Sequence, residues 1–115
     1  MHNIAKKIVE QSFRLKKGEE FLILFDPCNP KGMGWKGESD VAEALFLAAN
    51  DLGAIPQIIM LSCWPRDTEP PKATTLAMKS VNALCGLSMI TYTKAIDEAQ
   101  DAGVRFLNLC GIKKR

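Results

Sequence analysis

Histidine is almost absent from this sequence. The single one, His2, lies next to the N-terminus, where chains are often poorly ordered. Without another imidazole, a folded pocket has no such group to serve as a general base or a metal ligand. The composition therefore argues against a Ser-His-Asp or a Cys-His catalytic arrangement, and no residue stands out as catalytic.

The cysteines lack the spacing of a functional site. The chain has four of them, Cys28, Cys63, Cys85 and Cys110. A structural zinc site or a thioredoxin-type redox motif needs pairs only a few residues apart. Cys85 and Cys110 instead lie within apolar runs, as buried thiols commonly do. The sequence therefore predicts neither a metal site nor a cofactor site in this chain.

Targeting and membrane signals are missing as well. The first residues alternate charged and apolar side chains without the apolar core of a signal peptide. No apolar stretch is long enough to span a bilayer. The net charge is only +2, and the purely basic run 113–115 is too short for a nucleic-acid footprint. We expect a cytoplasmic protein that binds neither nucleic acid nor membrane.

The chain does contain a regular alternation of helix and strand patterns. Apolar residues at helical spacing predict helices over 3–15, 40–52 and 72–81, and a fourth helix that Thr91 or Thr93 caps. Apolar runs between them predict strands over 21–25, 55–61, 83–89 and 105–110. The first of these runs is unbroken, which is typical of a strand buried on both faces.

Glycines support these boundaries. Gly18, Gly53 and Gly103 each come just before a predicted strand, and glycine suits the left-handed residue that ends a helix. The element order is α-β-α-β-α-β-α-β, with a helix in every crossover, which is typical of a parallel sheet covered on both faces. We predict one α/β domain over 1–115, three-layered and Rossmann-like, with a mostly parallel four-stranded sheet.

One glycine motif raises the question of dinucleotide binding. Gly32–Gly37 satisfies the pattern G-x-G-x-x-G. In a dinucleotide-binding fold the first glycine lies directly at the end of the first strand, whereas here the strand ends near Asp26 and the helix is predicted only after the third glycine. The second strand is followed by Ser62-Cys63-Trp64 rather than by an acidic residue. We interpret 27–38 as a surface loop, with Ser39 as the N-cap of the next helix.

Polar side chains lie at or just beyond the carboxyl ends of the first and third predicted strands. They are Asp26, Ser88, Thr91 and Thr93. The carboxyl edge of an open α/β sheet is where ligands bind, and hydroxyls with free amides at a helix N-terminus hold anions. The alternative is structural, because an aspartate in a turn and hydroxyls that cap a helix need no ligand. The residues leave both interpretations open.

Two tryptophans, Trp35 and Trp64, fall in the predicted loops. Large aromatic side chains on one edge of a sheet can stack on a substrate or bury themselves against another chain. We predict an interface with a neighbouring domain or with a second copy.

Several segments resemble one enzyme family. They are the stretch 15–23 (LKKGEEFLI), Val41–Ala44 with the 48–54 turn, Glu69–Pro71, the segment from Ser88 through Ala95 to Arg105, and the tail 107–112 (LNLCGI). Together they resemble the thermophilic aminopeptidase (aminopeptidase T) family, whose superfamily includes the 2,5-dihydroxypyridine dioxygenases. The resemblance covers nearly the whole chain and consists mostly of structural glycines and apolar strands.

The resemblance implies a two-domain metalloenzyme of which this chain matches the N-terminal, Rossmann-like domain. The divalent-metal ligands of such enzymes belong to the C-terminal domain, so the resemblance assigns no metal or catalytic residue here. Two features depart from the family: Tyr92 stands where its histidine is expected, and the loop 27–38 is longer and richer in glycine.

The leading hypothesis is a non-catalytic domain or truncated paralogue of such an enzyme, inactive by itself, with a homo-oligomeric partner or a missing catalytic domain. The alternative is a stand-alone, flavodoxin-like module that binds a nucleotide or an anion at Asp26, the glycine loop and Ser88. A third hypothesis is an interaction domain that oligomerises through Trp35 and Trp64.

Overall fold

The structure, a computed structural model, describes residues 2–26, 34–61, 64–65, 68–87 and 93–109. Within these ranges helices and strands alternate, in this order: α1 (His2–Lys7) with a π-helical continuation (Ile8–Ser12), β1 (Glu20–Phe25), α2 (Gly34–Asp51), β2 (Ile55–Met60), α3 (Lys72–Ser80), β3 (Ala83–Leu87), α4 (Lys94–Asp101) and β4 (Arg105–Asn108). No helix in these ranges is both long and apolar enough to cross a membrane.

The four strands form one parallel sheet in the order β2-β1-β3-β4. Ile23 in the middle of β1 lies opposite Ile58 on β2 and opposite Cys85 on β3. The predicted α/β, three-layer, Rossmann-like class with a parallel four-stranded sheet is confirmed. The strand order adds what the sequence pattern does not contain: β1 is central and β2 is an edge strand.

The unbroken apolar run of β1 is buried on both faces, as predicted. Phe21, Ile23 and Phe25 face α1 and α2 in one core. Leu22 and Leu24 face α3 and α4 in a second core. Alternate side chains of a strand point to opposite faces, so a strand between two helical layers has no position left for a polar residue.

The first helix differs from its prediction over 3–15. It is α-helical only to Lys7, continues as a π-helix to Ser12, and is followed by Arg14 with a left-handed φ of 52°. The wider turn is visible in its hydrogen bonds, because Phe13 N–H bonds to Ile8 O at 3.0 Å. A π-turn rotates the following side chains relative to an α-helix. Phe13 then meets the ring of Phe21 edge-on, with the ring centroids 4.9 Å apart.

The second helix also differs from its prediction, because α2 begins at Gly34 rather than at about residue 40. The predicted loop 27–38 is therefore wrong in its last five residues, and Ser39 lies inside the helix instead of capping it. A glycine inside a helix costs only about 0.5–1 kcal/mol relative to alanine. Packing of an apolar helix face, here with Leu45 and Ala49 fully buried, outweighs such a cost.

The glycine that follows α4 is required for its backbone conformation. Gly103 has φ +92°, and no atom lies within 4 Å of the position a Cβ would take. Gly53 after α2 has φ +82°, so the glycines predicted to end α2 and α4 are both left-handed. Gly18 is left-handed too, but it lies in the turn before β1, six residues after the first helix ends.

We expect Gly103→Ala to destabilise the protein by about 1 kcal/mol, because an L-residue is disfavoured in the left-handed region. The cost is conformational, since the site has room for the methyl group. Urea unfolding monitored by circular dichroism measures it. Ala102→Gly, at a neighbouring position with φ −79°, is the matched control and should lose less. Equal losses in the two variants would contradict the conformational explanation.

An ion pair fastens the amino-terminal edge of the sheet. Both oxygens of the Glu19 carboxylate accept bonds from the guanidinium of Arg105, whose Nε–H also donates to the carbonyl of Phe13 at 2.8 Å. The hydrogen bond from Arg105 is the main cause that holds the pKa of Glu19 below its ordinary value. The pair joins β4, the residue before β1 and the end of the first helix.

This pair predicts a pH dependence. Folding lowers the pKa of Glu19, so the pair stabilises the fold above the unfolded-state pKa and loses that contribution as pH falls through the folded-state value. At neutral pH, Glu19→Gln should cost at most about 1 kcal/mol, because the pair is partly exposed. The difference in free energy of unfolding between Glu19→Gln and wild type should shrink toward zero as the pH is lowered. Glu98→Gln, which removes the exposed pair with Lys79, is the control, and an equal pH dependence there would contradict the prediction.

Candidate functional site

The carboxyl-terminal edge of the sheet holds the predicted site residues that can be placed. Three of them are described with their side chains: Asp26, Trp64 and Thr93. Ser88 and Thr91 lie outside the described residues. Trp35 lies in the first turn of α2 rather than in a loop, and its side chain is outside the described part.

Asp26 follows β1 directly and is only 5% exposed. Its carboxylate accepts the main-chain N–H of Trp64 at 2.6 Å. Beside it, the N–H of Leu61 donates to the carbonyl of Phe25 at 2.9 Å. The two bonds hold the segment after β2 against the end of β1, which is the structural role that the sequence left open for this aspartate.

Trp64 continues this connection. Its indole N–H lies 3.1 Å from the carbonyl oxygens of both Thr68 and Glu69, and its half-buried ring packs against the core below α3 and α4. A buried tryptophan needs a partner for its N–H, and these carbonyls provide it within the same chain. Contact of Trp35 or Trp64 with a second chain stays a prediction.

Glu69 binds the N-terminus of α4. Its two carboxylate oxygens accept the main-chain N–H groups of Lys94 at 2.7 Å and Ala95 at 3.0 Å. These are the first two amides of the helix, at the positive end of its dipole. Thr93 occupies the N-cap position and is buried, but its side chain makes no capping hydrogen bond. The cap predicted for Thr91 or Thr93 is therefore supplied by a glutamate from another loop.

The sequence alone does not reveal this role of Glu69. The residue enters the sequence argument only as part of the segment Glu69–Pro71, because its partners lie 25 and 26 positions further along the chain. The capping signals that a sequence displays are local, a short polar side chain at the N-cap itself. A carboxylate brought in from a distant loop has no such signature.

Together these residues form the carboxyl-edge network: Asp26, Trp64, Glu69 and the first two residues of α4. Both carboxylates accept bonds from main-chain amides, which fixes their orientation. Among the described residues, no group of three or more His, Cys, Asp and Glu side chains could hold a metal ion. The described side chains of this network therefore do not fit a metal centre, and their hydrogen bonds are those of a structural brace.

The glycine motif does not join this network. Gly32 comes seven residues after the end of β1, too far for the tight strand-to-helix turn that a pyrophosphate requires. The first two residues of the motif lie outside the described part, and the remaining four belong to α2. The motif therefore lacks the dinucleotide-binding context, although its helix begins earlier than predicted.

A second feature lies along the β2 edge. An apolar groove of about 400 Å³ runs between α2 and β2, lined by Phe25, Ser39, Ala42, Glu43, Phe46, Ile58 and Met60. No residue of this groove was predicted as a site, because its members come from three elements whose adjacency depends on the strand order. The groove offers apolar contacts, and the Glu43 carboxylate lies at its rim.

Comparison with known proteins gives one structural relative. No family model matches the sequence, and no curated protein matches it. A solved structure, 2,5-dihydroxypyridine dioxygenase from Pseudomonas putida KT2440, matches with a TM-score of 0.74 at 12% identity, over 95% of this chain and 33% of that one. The chain thus spans about a third of that protein's length.

This match supports the predicted resemblance only for its dioxygenase part, and there only for the fold. The matched protein is a 2,5-dihydroxypyridine dioxygenase, one of the enzymes that the resemblance names, and the match gives no support to the aminopeptidase T part of that resemblance. At 12% identity the likeness concerns the fold and not the activity. The chain therefore has the α/β, Rossmann-like fold that forms about one third of this dioxygenase.

Proposed function

We propose that this chain is a non-catalytic, Rossmann-like domain of a two-domain metalloenzyme of the aminopeptidase T and 2,5-dihydroxypyridine dioxygenase type. The observation that carries the proposal is the unequal coverage: nearly all of this chain corresponds to a third of the dioxygenase. In such an enzyme the domain forms one wall of the active-site cleft. Substrate contacts then come from its carboxyl edge, and the divalent metal belongs to the other domain.

The carboxyl-edge network supports this role. A wall of a cleft has to hold its shape, and here three loop segments are tied to one another and to α4 through the side chains of Asp26, Trp64 and Glu69. A catalytic carboxylate needs to reach a substrate proton or a reacting atom. Asp26 is buried and Glu69 is held on two amides, so both serve the scaffold.

The same geometry disfavours an anion at the start of α4, because the Glu69 carboxylate already accepts the first two amides there. The protein supplies its own anion at this helix terminus. The stand-alone module at Asp26, the glycine loop and Ser88 stays the alternative proposal, since Ser88 and the start of the glycine motif lie outside the described residues. No observation on the described residues favours a nucleotide or flavin.

The direct experiment is an activity assay on the purified chain. Leucyl substrates with added cobalt or zinc test the peptidase type, and 2,5-dihydroxypyridine under air tests the dioxygenase type. We expect no turnover above a metal-only blank with either substrate. Robust turnover by this chain alone would overturn the proposal.

The gene sequence provides a second test of the same proposal. The DNA downstream of the codon for Arg115, or a neighbouring reading frame, should encode a segment rich in Glu and His motifs. Co-expression of the two segments should then yield a complex that carries the metal and the activity. If the two segments form no complex and their mixture is inactive, the assignment of this chain as one domain of a metalloenzyme is contradicted.

A further inference from the structure

We infer that the outer edge of β2 is a homodimerisation surface, on which a second copy of this chain adds its own β2 antiparallel to form a continuous eight-stranded sheet. The inference does not depend on the function proposed above. It rests on the hydrogen-bonding direction of the strand, on its lack of charge, and on the apolar groove beside it.

The backbone of β2 shows which of its groups face outward. The N–H of Ile55 donates to the carbonyl of Glu19, and the N–H of Leu61 donates to that of Phe25. In a parallel strand the backbone groups of alternate residues point to the same side. The odd-numbered residues therefore face β1, and Pro56, Ile58 and Met60 direct their backbone groups away from the sheet.

This direction explains why a proline is tolerated in β2. Its missing N–H falls on the outer edge, the position where a strand accepts proline without losing a ladder bond. The edge then offers two donors, the N–H groups of Ile58 and Met60. In the part of the chain that the structure describes, no residue pairs with them.

The edge carries one feature that keeps strands apart, the outward-facing Pro56, and β2 lacks several others. Natural edge strands also use lysine, an inward-pointing charge or a bulge, or are very short. The six residues of β2, IPQIIM, contain no charge, and the strand pairs with β1 along its whole length without a bulge. Ile55, Ile58 and Met60 are 50%, 40% and 47% exposed, so the strand leaves apolar side chains uncovered.

The hydrogen-bonding pattern is self-complementary in one register. With Ile59 on a two-fold axis, Ile58 of each copy lies opposite Met60 of the other. All four donors of the two edges then meet the four carbonyls of the same residues. A register centred on Ile58 instead places the Met60 carbonyl opposite Pro56, which has no N–H to offer. The proline thus favours the register centred on Ile59.

The groove between α2 and β2 becomes part of this interface. An axis perpendicular to the sheet puts the α2 helices of both copies on the same side, and the side chains of Ile58 and Met60 point to that side. The two grooves then join over a common apolar floor. Glu43 stays at the rim, so pairing buries apolar surface without burying a charge on the strand.

The size of the surface suits a stable dimer. An interface of ordinary size takes about 800 Å² from each partner. The 18 residues of α2 make a helix about 27 Å long and β2 is about 20 Å long, so the two elements side by side offer a strip of the required order. Leu47, exposed one helical turn beyond Glu43, extends its apolar part.

The first experiment measures mass in solution by light scattering across micromolar concentrations. Wild type should reach twice the 12.7 kDa of one chain. Met60→Pro removes an outward N–H without touching the ladder to β1 and should raise the dimer Kd at least about tenfold. Met60→Leu keeps the N–H and should remain dimeric. A monomeric wild type, or a folded Met60→Pro as dimeric as wild type, would overturn the inference.

The second experiment tests the register and does not require a proline variant to fold. In the register centred on Ile59, the two Ile59 residues form a non-hydrogen-bonded pair with Cα atoms about 4.5 Å apart, within disulfide range. Ile59→Cys should give a covalent dimer under mild oxidation, above the background of the native cysteines. Gln57→Cys lies on the same face with its two copies about 14 Å apart and should not. Equal cross-linking of the two variants, or none for Ile59→Cys, would overturn the proposed pairing.

Discussion

Glu69→Ala is expected to destabilise the protein by about 2 kcal/mol. The substitution removes two charge-assisted hydrogen bonds to the first amides of α4, and hydrogen bonds to charged groups contribute about 1.5–3 kcal/mol each when well formed. The exposure of Glu69 lowers that value toward the range of ordinary helix caps, about 0.5–2 kcal/mol. Urea unfolding followed by circular dichroism gives the difference from the shift of the midpoint.

Two further variants distinguish the loss of the capping hydrogen bonds of Glu69 from the loss of an ordinary surface carboxylate. Glu69→Gln keeps one acceptor oxygen and should lose about half as much as Glu69→Ala. Glu43→Gln removes an exposed carboxylate in the middle of α2 and should stay within about 0.5 kcal/mol of wild type. A loss in Glu69→Ala no greater than in Glu43→Gln would contradict the capping role.

Asp26→Ala is expected to cost about 2–3 kcal/mol. The carboxylate is buried, and its removal leaves the main-chain N–H of Trp64 without the acceptor that now lies at 2.6 Å. An orphaned donor in a buried position costs about 1–3 kcal/mol, and the space left by the side chain adds to it. The same urea measurement applies, with tryptophan fluorescence in a Trp35→Phe background as a local probe of Trp64.

The controls follow from the geometry. Asp26→Asn has the same shape and keeps one carbonyl oxygen for the Trp64 N–H, so it should lose clearly less than Asp26→Ala. Asp51→Ala removes an exposed aspartate at the C-terminal end of α2, where the helix dipole disfavours it, and should cost nothing. If Asp26→Ala unfolds at the wild-type midpoint and leaves the Trp64 emission unchanged, the brace between β1 and β2 is refuted.

The sequence predicts best what depends on neighbouring residues. The apolar run of β1 marks a strand buried on both faces, and Gly53 and Gly103 mark the ends of two helices with left-handed φ angles. These signals are local, since burial of a central strand and a left-handed turn each select residue types over a few positions. The fold class follows from the order of such elements.

What the sequence does not predict depends on contacts between distant segments. β2 is as rich in isoleucine as a central strand, yet it lies at the edge, because strand order is decided by how helices cross the sheet. Glu69 caps α4 across 25 residues, and α2 begins at Gly34 although glycine has a low helix propensity. The position of Asp26 was predictable, whereas its partner Trp64 was not.

The carboxyl edge is braced by the protein's own Glu69, which occupies the α4 amides that an anion would otherwise bind. Thermal unfolding of wild type and Glu69→Ala in millimolar phosphate, against chloride at equal ionic strength, tests it most directly. Because the substitution frees the two amides, phosphate should stabilise the folded variant by about RT ln(1 + [L]/Kd), where [L] is the phosphate concentration. The unfolding temperature of wild type should stay unchanged. Saturable stabilisation of wild type by phosphate, equal to that of the variant, would contradict the account.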